Sequence, residues 1–164
     1  MKRTLINYLG LLGMVSLLSY TAAVIFSPLA YPDYHWLSQA VSDLSAEAAS
    51  SRTLWNQLSA LYMPCGIVCC TVNCIAVAGK YNKMLRLGVY LFALMNWVTA
   101  VGYAMFPLTD AGTPNGFQNI MHLVVTGAVV ALSILALVLM ICGGCFHRQC
   151  RSLGFWAGAA LFLM

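Results

Sequence analysis

Charge is the scarcest commodity in this sequence. Only 7% of its 164 residues are Asp, Glu, Lys or Arg, whereas 62% are hydrophobic. An average soluble domain is about a quarter charged. A chain so short of charge cannot clothe a water-facing surface. That shortage excludes a soluble globular domain, a disordered tail and a nucleic-acid binder, so no nucleic-acid partner is expected. Acids are rarest, four against eight Lys and Arg. Histidine is nearly missing as well, with three in the chain, so a His-rich catalytic metal cluster is not available. No internal repeat and no low-complexity tract is present. The seven cysteines are an odd number, which excludes a complete disulfide framework, and reduced thiols are expected.

Long apolar runs are what the sequence does have. A bilayer crossing takes about 20 apolar residues in a helix. The runs lie at about 5–30, 55–79, 88–108 and 119–144, and a fifth begins near Leu153 and reaches Met164. A helix over 153–164 extends only about 18 Å, short of a hydrocarbon core of about 30 Å. The expectation is therefore an all-α, polytopic transmembrane helix bundle in one integral membrane domain. It has four complete spans and the start of a fifth, as in a C-terminally truncated chain. Lys2 and Arg3 precede the first run, but its apolar stretch is too long for a signal peptide, and Pro28 spoils the cleavage pattern at Ala30. Pro64 is expected to kink the second span and free a carbonyl. Glycines such as Gly88, Gly102 and Gly127 offer small faces for helix contact.

The few charges alternate along the chain. Lys2 and Arg3, then Lys80, Lys83 and Arg86, then Arg148 and Arg151 mark one side; Asp33, Asp43, Glu47 and Asp110 mark the other, and only Arg52 breaks the pattern. The positive-inside rule places the N-terminus in the cytoplasm and the loops 31–54 and 109–118 outside, in a plasma or inner membrane. In the first outer loop Trp36, Leu37, Ala40, Val41 and Leu44 form one helical stripe. This predicts a short amphipathic helix at the interface.

Polar groups concentrate at the outer ends: Asp33, His35, Ser38, Ser42, Asp43, Glu47, Asp110 and His122. His122 lies about a turn inside the fourth span, where an ionisable group is costly unless it faces protein or water. Asn96, Thr99 and Tyr103, at i, i+3 and i+7, form a polar stripe on the third span. Three readings of these residues stand open. Ser38, Ser42, Asp43, Asp110 and His122 line an outer pocket for a lipid headgroup or small solute; or Asp43, Asp110 and His122 hold a metal such as zinc, or His122 paired with Asp110 serves as base toward Ser42, in a membrane-embedded lipid hydrolase; or Ser42 and Asp43 merely cap a turn while His122 bonds a neighbouring helix. A non-catalytic accessory protein, assembling with membrane-protein partners or with itself, is a further alternative. On the cytoplasmic side Cys142, Cys145, His147 and Cys150 form C-x-x-C-x-H-x-x-C. That spacing fits a tetrahedral metal or a redox pair, or simply small cysteines at a helix end.

Two stretches carry a resemblance. One is Tyr34-His35-Trp36-Leu37-Ser38-Gln39-Ala40-Val41-Ser42-Asp43-Leu44-Ser45-Ala46; the other is Phe106-Pro107-Leu108-Thr109-Asp110, followed by His122. Together they resemble the multi-pass membrane family called Domain of Unknown Function 998, over nearly the whole chain. The resemblance implies a bundle of about six hydrophobic helices, hence the rest of a fifth span and a sixth. A looser similarity is to Frag/DRAM-like membrane proteins. A more distant one is to the alkaline ceramidase and progestin-receptor-like group, which implies a Ser, an Asp and several His around zinc. Ser42, Asp110 and His122 match that set in kind, but the further histidines are missing from these residues.

Overall fold

The computed structural model of the protein describes residues 5–109, 116–146 and 150–164. Seven α-helices form there: α1 (Leu5–Gly10), α2 (Leu12–Phe26), α3 (Arg52–Leu58), α4 (Tyr62–Val77), α5 (Lys83–Met105), α6 (Phe117–Cys145) and α7 (Arg151–Leu163). In hydrocarbon a helix satisfies its own backbone, which is why apolar runs of this length adopt no other form. Four continuous segments are long and apolar enough to cross a membrane: Leu5–Ala30, Arg52–Val77, Lys83–Met105 and Phe117–Cys145. The protein is an all-helical, multi-pass membrane protein. The second and third segments start several residues before the predicted runs, at Arg52 and Lys83. Hydropathy finds the apolar middle of a helix, whereas its first turn is polar. In α5 that turn is capped by Asn82, whose side chain accepts from Leu85 N at 2.8 Å.

Each segment packs mainly on the next in sequence, with the most extensive contact between α5 and α6. Large apolar side chains such as Leu17, Leu18, Leu123, Val124 and Phe155 point outward, where membrane lipids meet them. The connected apolar core is small and made of Leu85, Val89, Leu137, Met140, Cys150 and Ala157, near the basic end of α5, α6 and α7. Backbones touch there. A Cβ on Gly143 would lie 2.5 Å from Leu85 N, and one on Gly144 would lie 2.8 Å from Gly154 Cα. Asn82 Nδ2 also donates to Gly143 O at 2.8 Å, tying the α4–α5 connection to the end of α6. Of the glycines expected to make helix contacts, Gly88 and Gly102 do so, while Gly127 faces open space.

The second span is broken rather than kinked. Between α3 and α4, Tyr62 N turns back to Ser59 O at 2.9 Å, which leaves Leu58 O without its helical donor. Ser19 Oγ of α2 fills that place at 2.5 Å, and Ser16 Oγ donates to Tyr62 O at 2.7 Å. Pro64 stands in the first turn of α4, where a missing N–H is tolerated. The carbonyl it would free is that of Ala60, whereas those that α2 meets belong to Leu58 and Tyr62, so the break lies before the proline, at residues 59–61.

The opposite end carries Asp33, Asp43 and Glu47 and is held by hydrogen bonds. Ser50 Oγ donates to Ala30 O at 2.6 Å and Ser51 Oγ to Leu44 O at 2.8 Å. Glu47 N and Ala48 N donate to Leu108 O and Thr109 O at 2.8 and 3.2 Å, which fastens the first connection to the end of α5. The amphipathic helix predicted over Trp36–Leu44 does not form; it is reduced to a 3-10 helix, Val41–Ser45. Asp33 takes a left-handed φ of 61°, and Gln39 Oε1 accepts from His35 N at 2.7 Å. These local bonds close turns that compete with a helix. Leu37, of the predicted apolar stripe, is fully exposed.

Candidate functional site

The break between α3 and α4 leaves room beside it. A cavity of about 650 Å³ lies at the acidic end, walled by the first connection and by α2 to α6. Its polar wall includes Ser42, Ser45, Arg52, Asn56, Ser59 and His122. Tyr20, Trp55 and Tyr62 form an aromatic side, with Tyr20 4.7 Å from Tyr62 and 6.1 Å from Trp55 between ring centroids.

His122 is 6% exposed. Its Nδ1 lies 2.9 Å from Phe106 O. A carbonyl only accepts, so Nδ1 carries the proton, and in the neutral ring Nε2 is an acceptor. The ring stacks on Tyr103 at 4.8 Å. Tyr103 Oη pairs with Thr126 Oγ1 at 3.0 Å, and Thr126 Oγ1 donates to His122 O at 2.9 Å. One turn before His122, the buried Asn119 accepts from both Thr109 N and Thr109 Oγ1, at 3.0 and 2.8 Å. Phe106 and Thr109 belong to the chain that unwinds after α5, where Pro107 stops the helix. Their backbone groups need partners, and α6 provides them. The imidazole is thus fixed in tautomer and orientation by the end of α5.

The two sequence stretches that carried the family resemblance both reach this cavity, the first through Val41, Ser42 and Ser45 and the second through Pro107, Leu108 and the following His122. The family model described as protein of unknown function (DUF998) matches residues 14–164. The chain belongs to the DUF998 family. No curated protein and no solved structure matches it.

The sequence-predicted residues of this DUF998 protein divide at the cavity. Ser42 and His122 line it. Asp43 is buried, yet it is not on the cavity wall; its carbonyl closes the 3-10 turn by accepting from Ala46 N at 3.3 Å. Ser38 is exposed in the turn before it and also lies off the wall. Asp110 lies outside the described residues. Among the described residues no three His, Cys, Asp or Glu side chains come together as a metal set. On the basic side, Cys150 is buried in the small core while Cys142 and Cys145 are exposed, and all seven cysteines are free thiols. His147 of that motif also lies outside the described residues.

Sequence reasoning missed Arg52, Asn56, Ser59, Tyr20, Tyr62 and Asn119. Arg52 stood out only as an exception to the charge pattern. It lies on the cavity wall with an exposed ion pair to Glu47 at 3.5 Å. Asn119 had a readable signal, because Asn119, His122 and Thr126 repeat the i, i+3, i+7 spacing noticed on the third span. Of that span's stripe, Thr99 and Tyr103 line the acidic-end cavity. Asn96 turns back to Phe92 O of its own helix at 2.9 Å.

Proposed function

We propose that this DUF998 protein binds a lipid headgroup or a small polar solute in the acidic-end cavity. We further propose that this end faces outward, with the N-terminus and the Lys80–Arg86 connection in the cytoplasm of a cell whose plasma or inner membrane holds the protein. One observation carries the binding reading: a buried histidine of fixed tautomer stands on the wall of a cavity that also holds Arg52, Asn56 and four serines. Buried ionisable groups in membrane helices are expensive and mark functional sites. The volume of about 650 Å³ lies within the range of about 300–1,000 Å³ typical of small-molecule sites.

The test is mass spectrometry of lipids and solutes that co-purify with the full chain, beside His122→Phe and Arg52→Gln. His122→Phe keeps a flat ring against Tyr103 and removes both nitrogens. Loss of a bound species in both variants supports the site; retention of every species at the wild-type level overturns it. A second reading, hydrolysis of a lipid ester or amide, is favoured by Ser42 and His122 sharing the cavity. It requires turnover that Ser42→Ala abolishes. For the orientation, Ser38→Cys should react with a membrane-impermeant maleimide in intact cells; labelling only after lysis would reverse the topology.

A further inference from the structure

A second cavity, of about 710 Å³, lies against the first. The two share four lining residues, Tyr20, Tyr62, Met95 and Ser133. Their walls differ in character. The second is lined mostly by apolar side chains, among them Leu17, Phe92, Leu137, Met140 and Trp156 from α2, α5, α6 and α7. The first holds Arg52, and among the described residues neither wall carries an Asp or Glu side chain. The Glu47 that pairs with Arg52 does so in an exposed ion pair at 3.5 Å, an arrangement worth about 0–1 kcal/mol. An anion can therefore take Arg52 from it at little cost. A compartment with one cation, abutting an apolar compartment of similar size, has the shape of an amphiphile. A small polar solute would leave the apolar half without a function. A further cavity of about 720 Å³, between α6 and α7, shares no lining residue with either. Of these three cavities, one apolar compartment adjoins the charged one, room for a single chain.

We infer that the ligand is a single-chain anionic amphiphile, with its charged head beside Arg52 and its hydrocarbon chain in the apolar cavity beyond Tyr20 and Tyr62. This rests on the binding role proposed above and names the ligand class. His122 Nε2, as an acceptor on the head compartment, suits a head that also carries a hydroxyl.

The experiment uses the full chain in phosphatidylcholine nanodiscs. Palmitoyl lysophosphatidate is the probe, with binding read by native mass spectrometry and by quenching of the tryptophans. Three comparisons accompany it: glycerol 3-phosphate (the head alone), palmitoyl lysophosphatidylcholine (the chain without net charge) and dipalmitoyl phosphatidate (two chains). The expected result is that lysophosphatidate binds at least about tenfold tighter than each, because a buried chain and a paired charge both contribute. Arg52→Gln should erase the preference over lysophosphatidylcholine. Leu17→Trp and Ala160→Trp, at two exposed positions on the rim of the apolar cavity, should erase the preference over glycerol 3-phosphate.

Equal binding of glycerol 3-phosphate, lost in His122→Phe, would overturn the chain compartment and leave the polar site standing. Equal binding of lysophosphatidylcholine would overturn the anionic assignment. Tighter binding of the two-chain lipid would overturn the single-chain assignment. Binding of none of the four, with the protein folded, would overturn this inference and remove this probe class from the function proposed above.

Discussion

The two ends of the bundle hold together by different means. At the basic end helices meet backbone to backbone, with Gly143 against Leu85 and Gly144 against Gly154. At the acidic end helices stand apart around a cavity, and side chains reach across to backbone: Ser16 and Ser19 to the broken second span, Asn119 and His122 to the unwound end of α5. Lipid removes the hydrophobic drive between helices, so contact must come from van der Waals fit or from hydrogen bonds. Fit leaves no space at the contact itself, so the cavities near the basic end lie beside these contacts and are mostly apolar. Hydrogen bonds hold backbones at a side chain's length and allow a polar cavity between them. The backbone contacts supply the rigidity, and the polar cavity at the acidic end can take a ligand's polar group.

The sharpest way to break this contrast is Gly143→Leu. Its Cβ would meet the Leu85 backbone, which cannot turn aside as a side chain can. Separating α5 from α6 there should cost about 3 kcal/mol or more. We expect a large drop in the midpoint of thermal unfolding in detergent, while the molecules that remain folded bind ligand as before. At the acidic end Asn119→Ala leaves Thr109 N and its hydroxyl without their acceptor. That should cost about 2 kcal/mol. Because it also loosens the unwound chain after α5 that positions His122, ligand binding should fall with stability. An Asn119→Ala variant that is destabilised yet binds normally would show that the two properties are separable at this end as well.

How much of this was legible in the sequence follows the same division. The spans were legible because their signal is bulk hydropathy, and the acidic and basic ends because charges are so few that each one counts. An irregularity in the second span was legible from Pro64, but its place was not: the helix breaks before the proline, at residues 59–61, rather than kinking at it. The amphipathic helix over Trp36–Leu44 was misread, since apolar spacing cannot report that Gln39 caps His35 or that Asp33 takes a left-handed turn. The cavity itself was half legible. Ser42 and His122 were found, being polar where polarity is rare. Tyr20, Tyr62 and Asn56 were not, since their role arises from the break in the second span, which joins residues far apart in the chain. Asn119 lay within reach of the stripe argument, had it been applied to the fourth span as it was to the third.

His122→Phe separates the two properties most cleanly. The stack on Tyr103 survives, and a single interhelical hydrogen bond is lost, worth about 1 kcal/mol in a membrane. Unfolding should shift little. Binding of lysophosphatidate should fall by about tenfold. A variant that binds normally would reduce the histidine to a strut for the end of α5.

The smallest effect concerns the first connection, outside the spans. Burial, and then the charge of the nearby Asp43, hold the Tyr34 phenol above its ordinary value of 10.0. The phenol donates to Ala40 O at 3.3 Å, which only the protonated form can do. The folded state therefore keeps the proton longer than the unfolded chain. The stabilisation is complete below the ordinary phenol value and is lost as pH rises through the raised one. Tyrosinate absorbance, taken as the difference between wild type and Tyr34→Phe, should show the late titration. Asp43→Asn should move it part of the way back, since burial is the larger cause. Ligand binding should not follow, because Asp43 lies off the cavity wall. If Asp43→Asn abolished binding instead, the acidic end would have to be read as one electrostatic unit rather than a cavity beside a charged loop.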